Sequence, residues 1–286
     1  MPVTPRWDRP TDDELDFYGT THRGHVRLEN QDHFLISTVH PQVVVHATSL
    51  PDPENLPLRG TRLASVFVLA DGVGGLADGS EAARLATEAV TKYVGSTLRC
   101  YHAAGSSGDQ QLLDELKAAV LEAHKAVRAE SAKRTDHAQM ATTLTVCIVI
   151  YPYAYVVQVG DSRAYFFSEG KLRLLTRDQT VAQSLVDQGL MSKERMDHSP
   201  FKHVLSSAIG SEEALPEVTR FDIARRGSLI LMCSDGLTKH VSDEEIASCI
   251  GDMKSSEQVA TELLNLALER GGKDNITIIA ARALPQ

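Results

Sequence analysis

The chain has 286 residues, of which 42% are hydrophobic and 23% are charged, and its 29 lysines and arginines stand against 38 aspartates and glutamates, a net charge of −9. This composition is ordinary for a globular protein and argues against disorder of the whole chain. The acidic balance argues against general binding to nucleic acid, which requires a basic surface. Because no stretch approaches 18 uncharged apolar residues, the sequence predicts no membrane-spanning helix.

The N-terminal part of the chain is rich in proline, with seven of the 11 prolines falling within its first 57 residues. Residues 1–15 lack the apolar core of a signal peptide and predict a loose leader. Residues 47–62 predict a surface insertion, because proline and glycine interrupt helices and strands. We expect residues 16–286 to form a single domain. The four cysteines show no Cys-x-x-Cys spacing, which favours neither zinc nor disulfides and fits a reducing cytoplasm.

Five apolar and β-branched segments predict buried strands. They are Leu63–Ala70, Leu144–Ile150, Tyr153–Val159, Leu229–Cys233 and Ile276–Ala280. The pair Tyr151-Pro152 separates two of these segments, and Ser168–Lys171 separates two shorter ones. Connections of this length permit antiparallel hairpins and exclude parallel crossovers.

Apolar residues at helical spacing predict three long helices and a short one. The first begins at an N-cap at Ser80, the second carries its apolar stripe over residues 112–127, and the last ends at Gly271. A shorter helix begins at Ser242, where Glu245 completes a capping box. Helices placed between groups of hairpin strands predict an α+β fold, with antiparallel sheet covered by helices.

Aspartates at the ends of four predicted strands are the clearest chemical signal. Asp71, Asp161 and Asp235 follow strands, and Asp274 directly precedes the last one. Each aspartate alone is well explained as a turn residue. Several carboxylates at one sheet edge would repel one another, and hard cations such as Mg²⁺ or Mn²⁺ relieve that repulsion through oxygen ligands. Gly72, beside Asp71, would let a main-chain carbonyl approach an ion.

A second candidate is the stretch HRGHVRLENQD at residues 22–32, in which Arg27 precedes Asp32 by five positions. The planar guanidinium of arginine suits phosphate oxygens. Considered alone, this stretch is better explained as a solvated basic loop.

Other signatures are weak or missing. The segment 71–75 lacks the Lys-Ser/Thr of a Walker loop, and Val73 stands where a haloacid-dehalogenase-type phosphatase would have a second aspartate. No Gly-x-Ser-x-Gly elbow occurs. His198 and His203, near Pro200, are predicted to be surface residues and not ligands.

In combination these motifs resemble the metal-dependent protein phosphatases of type 2C, the PPM family, in its compact bacterial form. The matching stretches follow the family's order and cover most of residues 17–282. They are RGHVRLENQD at 23–32, LADGVGG at 69–75, ATTLT at 141–145, VGDSRAY at 159–165, LTRDQT at 175–180, LVDQG at 185–189, CSDGL at 233–237 and GGKDNITII at 271–279.

The resemblance implies a four-layer αββα sandwich of two antiparallel sheets flanked by helices. It also implies a protein serine/threonine phosphatase that hydrolyses phosphoserine and phosphothreonine with a water or hydroxide activated at a binuclear Mn²⁺ or Mg²⁺ centre. The resemblance places Asp71, the Gly72 carbonyl, Asp235 and Asp274 on two ions, with Asp71 bridging them.

Further roles follow from the same resemblance. It implies that Asp32 supports the metal waters, that Asp161 joins Asp235 at a third ion in some bacterial relatives, and that Arg27 binds the phosphate. Residues from about 180 to 215 correspond to a variable flap beside the site, which would influence the choice of substrate.

Three positions depart from the family's pattern. Gln31 replaces a common glutamate, and Ala141 replaces a common glycine before Thr142. Val73 replaces the histidine proposed as general acid in animal members, so a metal-bound water would have to protonate the leaving oxygen.

The implied partners are phosphorylated proteins, namely a bacterial Ser/Thr kinase and its targets, with no nucleic acid or membrane partner, and we expect a monomer. Two alternatives are a non-catalytic phosphoprotein-binding module and a small-molecule phosphatase of another fold. The complete ligand set disfavours the first, and the hairpin pattern disfavours the second.

Overall fold

The computed structural model of the protein describes residues 8–42, 44–49, 58–73, 78–103, 109–133, 140–196, 198–224 and 226–284. The strands within these ranges are β1 (Leu15–His22), β2 (His33–Val39), β3 (Ala64–Ala70), β4 (Gly72–Val73), β5 (Ala141–Thr142), β6 (Leu144–Ile150), β7 (Tyr153–Val159), β8 (Arg163–Ser168), β9 (Lys171–Leu174), β10 (Glu217–Asp222), β11 (Leu229–Cys233) and β12 (Ile276–Ala283). The helices are α1 (Asp78–Ala103), α2 (Asp109–Ser131), α3 (Val181–Asp187), α4 (Lys193–Met196), α5 (Asp235–Thr238), α6 (Asp243–Gly251) and α7 (Ser256–Glu269).

Ten of the described strands form two five-stranded antiparallel sheets. The first sheet has the order β1-β12-β11-β8-β9, the second has the order β10-β7-β6-β3-β2, and β4 pairs with β5 in a separate short ladder. Helices α1 and α2 cover the second sheet, and α6 and α7 cover the first. The α+β, four-layer αββα sandwich expected from the sequence is confirmed.

The alternation of side chains along the strands fills three separate apolar layers. On β3, Val66 and Val68 pack under α1 and α2, whereas Phe67 and Leu69 pack between the two sheets. Every residue of β3 is buried, because helices cover one face of the strand and the other sheet covers the opposite face. This double burial explains why the central strands are continuous apolar runs in the sequence.

The five predicted strands are all present, and β12 extends three residues further than expected, to Ala283. The two predicted hairpins are β6–β7 and β8–β9. The strands β1, β2 and β10 were not anticipated. All three lie at the edges of their sheets and are largely half-buried or exposed, so they carry no continuous apolar run.

The predicted helices are also present, with one boundary displaced. Helix α1 begins at Asp78, so Ser80 lies inside the helix and is not its N-cap. The capping box of Ser242 and Glu245 is formed at the start of α6. Gly271 follows the end of α7 with a φ of +116°, a backbone conformation that favours glycine.

The last residues of the predicted leader have defined structure. Residues 1–7 lie outside the described residues, whereas Asp12–Glu14 form a 3-10 turn that leads directly into β1. Two ion pairs, Asp12 with Arg62 and Glu14 with Arg226, attach this turn to the segments that lead into β3 and β11. In the proline-rich insertion, residues 50–57 lie outside the described residues, and the flanking residues 47–49 and 58–61 are exposed.

No helix in the described part of the chain combines the length and the apolar character needed to cross a membrane.

The interface between the two sheets should dominate the stability of the fold. Phe67 is 1% exposed there, and its ring meets that of Phe17 edge to face at 5.0 Å. We expect Phe67→Ala to lower the free energy of unfolding by about 3–5 kcal/mol, because it leaves a cavity in a close-packed layer. The control Leu121→Ala, on the exposed side of α2 at 38% exposure, should change it by about 0.5 kcal/mol or less. Urea unfolding checks both, and equal losses would contradict this assignment of the core.

Candidate metal centre

The topology brings Asp71, Asp235 and Asp274 to one end of the sandwich. Asp71 follows β3 of the second sheet, Asp235 opens α5 immediately after β11, and Asp274 lies just before β12. Strands β11 and β12 are antiparallel neighbours, so the end of β11 and the start of β12 meet at the same sheet edge. Carboxylates from both sheets therefore converge there.

The glycines beside these aspartates are required by close backbone packing. A Cβ on Gly72 would lie 2.4 Å from the carbonyl oxygen of Gly79, and a Cβ on Gly236 would lie 1.9 Å from that of Asn275. Real Cβ atoms do not approach so closely, so neither position tolerates a side chain without a backbone shift. The glycines therefore allow the segments that carry Asp71 and Asp235 to pack against their neighbours.

The two threonines after Ala141 fix the main chain of Asp71. The Asp71 amide donates to Thr143 Oγ1 over 3.1 Å, and the Asp71 carbonyl accepts from the Thr143 amide at 2.8 Å and from Thr142 Oγ1 at 2.9 Å. Thr142 also exchanges two main-chain hydrogen bonds with Ile209, in the segment after α4. The ATT motif thus connects Asp71 to the 180–215 segment.

Asp32 lies beneath the cluster and is 3% exposed. Its Oδ2 accepts hydrogen bonds from Ser234 Oγ at 2.9 Å and Thr277 Oγ1 at 2.7 Å. Its other oxygen, Oδ1, is buried and has no hydrogen-bond donor among the described residues. Burial raises the pKa of Asp32 to about 6, assisted by repulsion from Asp235 and opposed by the two hydroxyl donors.

Two further carboxylates show the electrostatic cost of this crowding. Burial, together with repulsion from four other aspartates of the cluster, raises the pKa of Asp71 well above its ordinary value. Asp161, 7% exposed, has its pKa raised to about 7 by burial and by repulsion from Asp235 and Asp178. The cluster therefore carries more negative charge than its own surroundings neutralise.

Two cationic side chains contact the cluster. Arg27 Nε lies 2.7 Å from Asp274 Oδ1 and Arg27 Nη2 lies 2.9 Å from Asp274 Oδ2. Lys239 Nζ lies 2.5 Å from Asp235 Oδ2 and 2.7 Å from Asp274 Oδ2. Although burial opposes it, hydrogen bonding and attraction to Arg27 and Lys239 lower the pKa of Asp274. Lys239 was not anticipated, although its position four residues after Asp235 could have indicated the pair.

A histidine discounted in the sequence also reaches the cluster. One ring nitrogen of His203 and one carboxylate oxygen each of Asp161 and Asp235 lie within 4.8 Å of one another. His203 is exposed, as expected, but it lies on the rim of a cleft of about 860 Å³ that the cluster lines. His198 is exposed.

Asn275 organises the loop that carries Arg27. Its side-chain amide nitrogen donates to the carbonyls of Arg23 (3.0 Å) and Glu29 (2.9 Å), and its Oδ1 accepts from the Gln31 amide at 2.9 Å. The sequence gave Asn275 no role, although its place next to Asp274 was noted. One side chain thus holds the 23–32 loop beside the metal-ligand candidate Asp274.

Two of the three departures from the family's pattern lie on the short β4–β5 ladder. Val73 pairs with Ala141 and is 37% exposed. Its aliphatic side chain has no proton to donate, so this position supplies no general acid. The third departure, Gln31, packs against Gly79 at the start of α1. Its Oε1 is so close that a Cβ added to Gly79 would lie 2.8 Å from it.

The donor set fits a hard divalent cation. It consists of carboxylate oxygens with a nearby main-chain carbonyl and a histidine, and oxygen ligands are those that Mg²⁺ and Mn²⁺ prefer. The unpartnered Asp32 Oδ1 and the ammonium that bridges Asp235 and Asp274 both indicate a place that favours positive charge. The arrangement can therefore bind metal ions at the edge of an open cleft.

Comparison with known families agrees with this geometry. The family model described as protein phosphatase 2C matches residues 57–276. Since the match covers more than half of the chain, the protein belongs to the protein phosphatase 2C family.

Individual relatives are bacterial serine/threonine phosphatases. The chain is 34% identical over 218 residues to serine/threonine protein phosphatase PstP of Mycobacterium tuberculosis, a match that covers 76% of this chain and 40% of that relative's length. The crystal structure of the M. tuberculosis phosphatase PstP/Ppp aligns with a TM-score of 0.73 and 30% identity, covering 95% of this chain and 99% of the other. The catalytic domain of PstP in complex with two manganese ions aligns with a TM-score of 0.70 and 29% identity over 95% and 99%.

The raised pKa of Asp161 predicts a pH-dependent stability of the metal-free protein. The folded protein keeps this carboxyl protonated up to about pH 7, whereas in the unfolded chain it ionises at its ordinary value of 3.8. The folded state therefore binds more protons across that window, so its free energy of unfolding falls as the pH rises.

In chelator, wild type should lose stability between pH 4 and about pH 7 more steeply than Asp161→Asn, which cannot ionise there. Urea unfolding at several pH values measures the difference. The other titrating groups are common to both proteins. Equal dependence of the free energy of unfolding on pH in the two proteins would therefore show that folding does not raise the pKa of Asp161.

Proposed function

We propose that this protein is a metal-dependent protein serine/threonine phosphatase that hydrolyses phosphoserine and phosphothreonine. The observation that carries the proposal is the convergence of Asp71, Asp235 and Asp274, which repel one another and of which the last two share the Lys239 ammonium, with Asp32 and Asp161 close by. Membership of the protein phosphatase 2C family supports the reaction class.

In this proposal Asp71, the Gly72 carbonyl, Asp235 and Asp274 hold two Mn²⁺ or Mg²⁺ ions, Asp32 accepts hydrogen bonds from their waters, and Asp161 with Asp235 holds a third ion where one binds. Such ions, when bound, offset the charge of the carboxylates and of a phosphate dianion, and they lower the pKa of a coordinated water from 15.7 toward about 7. The residues themselves fix the positions at which that chemistry takes place.

Arg27 is proposed to bind the phosphate. Its side chain is 48% exposed, and its contacts with Asp274, which lines the cleft, hold the guanidinium beside this metal-ligand candidate. A phosphate bound there would receive a planar pair of N–H donors, which orients its oxygens and stabilises the charge that develops on them. The 180–215 segment, which carries the exposed His203 beside the cleft, would then contact the protein part of the substrate.

The proposed substrates are phosphorylated proteins, namely a Ser/Thr kinase and its targets. The curated relative PstP supports this class, with the chain matching 40% of that protein's length. A reducing cytoplasm remains the proposed compartment, and the free thiols of Cys147, Cys233 and Cys249 are consistent with it.

Loss of one metal-ligand candidate should remove activity and leave the fold intact. We expect Asp71→Asn to abolish Mn²⁺-dependent hydrolysis of a phosphothreonine peptide, because an amide neutralises less of the ions' charge than a carboxylate. The matched control is Asp13→Asn, which should keep full activity. Asp13 lies in the 3-10 turn before β1, at the end of that strand away from Asp274. Phosphate release with and without EDTA measures the effect. Full wild-type activity in EDTA would overturn the metal-dependent mechanism.

The role of Arg27 has its own test. We expect Arg27→Ala to raise KM for a phosphopeptide by about 10- to 100-fold, which corresponds to losing a charge-assisted hydrogen bond of about 1.5–3 kcal/mol. Arg23→Ala is the control, because Arg23 is an exposed arginine of the same loop whose guanidinium contacts only the Leu28 carbonyl, at 3.4 Å, among the hydrogen bonds described. Unchanged KM and kcat in Arg27→Ala would remove its assigned role.

A further inference from the structure

The ammonium of Lys239 lies inside the carboxylate cluster. Lys239 directly follows α5, and its side chain is 22% exposed. Its Nζ contacts Asp235 Oδ2 at 2.5 Å and Asp274 Oδ2 at 2.7 Å, so one positive charge is shared by two carboxylates.

These two oxygens belong to the carboxylates assigned above to a divalent ion. A divalent cation bound through the same Oδ2 atoms would lie within a few ångströms of the ammonium. At about 4 Å, like charges repel strongly unless water screens them, and screening is reduced for partly buried groups. The ammonium and the ion therefore compete for the same ligands.

We propose that Lys239 is a built-in competitor of the metal: it stabilises the cluster when no ion is bound and must withdraw from Asp235 and Asp274 when one binds, which lowers the affinity of the site. This inference rests on the metal assignment of the proposed function and concerns metal affinity, not the reaction.

The mobility that this exchange needs is available to Lys239. The side chain has four rotatable bonds and no planar group to hold it, in contrast to the forked guanidinium of Arg27. It also lines the open cleft of about 860 Å³, so the ammonium can move from the cluster into solvent. Arg27 contacts only Asp274 in the cluster, which leaves Lys239 as the cation that joins the two carboxylates.

The proposal predicts two effects of opposite sign. Replacing the ammonium with an uncharged side chain leaves five mutually repelling aspartates with less neutralisation, so the metal-free protein becomes less stable. The same change removes the competitor, so the metal binds more tightly. A lysine with a purely structural role would show the first effect and, if anything, weaker metal binding.

The experiment uses the full chain freed of metal with EDTA and dialysed. Isothermal titration gives the Kd for Mn²⁺, and calorimetric melting in chelator gives the metal-free Tm, for wild type, Lys239→Met and Lys239→Arg. Lys171→Met, at the exposed start of β9, is the control for a charge change outside the cluster. We expect Lys239→Met to bind Mn²⁺ at least about tenfold more tightly and to melt at a lower Tm than wild type.

The arginine variant should bind Mn²⁺ more weakly than Lys239→Met, because it keeps the positive charge, and Lys171→Met should match wild type in both measurements. If Lys239→Met does not fold without metal, Lys239→Gln replaces it, since the amide keeps a hydrogen-bond donor. An Mn²⁺ Kd in the neutral variant that equals or exceeds that of wild type overturns the proposal.

Failure of the inference is separable from failure of the proposed function. Phosphopeptide hydrolysis by wild type tests the function without reference to Lys239. If wild type is active and Lys239→Met binds Mn²⁺ with the same affinity as wild type, only the inference is refuted. If wild type is inactive, the proposed function is refuted, and the Mn²⁺ Kd values of wild type and Lys239→Met still decide the role of Lys239.

Discussion

Repulsion among aspartates at one end of a rigid sandwich is the interaction on which the functional part of this protein depends. Asp71, Asp235 and Asp274 do not come together because they attract one another. They are brought together by strand pairing and by the apolar layer between the sheets, which includes Phe67 and Met232. The burial of that layer stabilises the fold enough to hold like charges in contact. The affinity of the cluster for cations therefore depends on stability that comes from the apolar layer between the sheets and not from the cluster itself.

The polar groups around the cluster determine how that repulsion is distributed. Asp32 receives two hydroxyl donors on one oxygen and none on the other, so only half of the carboxylate is satisfied by protein. Asp274 is neutralised by Arg27 and Lys239, and its pKa falls, whereas the pKa of Asp161 rises. The cluster is thus divided into a part that the protein's own cations balance and a part that they do not.

Much of this arrangement could be read from the sequence, because burial on both faces makes the central strands continuous apolar runs with an aspartate at their ends. Asp71, Asp161 and Asp235 were identified on that basis. The edge strands β1 and β10 could not be, since one exposed side removes the apolar signal. The early start of α1 was also missed, because Ser80 is a good N-cap by type and the sequence does not show that Gly79, inside the helix, packs against Gly72.

The contacts across the site were beyond the sequence for a different reason. His203, Lys239 and Asn275 act through partners distant along the chain or through side chains whose direction depends on tertiary packing. The motif resemblance indicated the ligands but contained no information on Lys239, which lies just outside the matched CSDGL stretch. Sequence spacing could indicate the pair of Lys239 with Asp235, but its second contact, with Asp274, is recognised only when the distances are known.

The pairing of β12 with β1 joins residue 15 to residue 283 and so links the two ends of the described chain. Asp274 and Asn275 stand immediately before β12, and Asn275 fastens the loop that begins after β1. During synthesis the loop therefore emerges early but cannot adopt its final position until Asn275 and β12, some 250 residues later, have left the ribosome. A nascent or truncated chain that lacks Asp274 and Asn275 would have Arg27 without the residues that orient it, so the proposed phosphate-binding side chain would not be in place until both have been made.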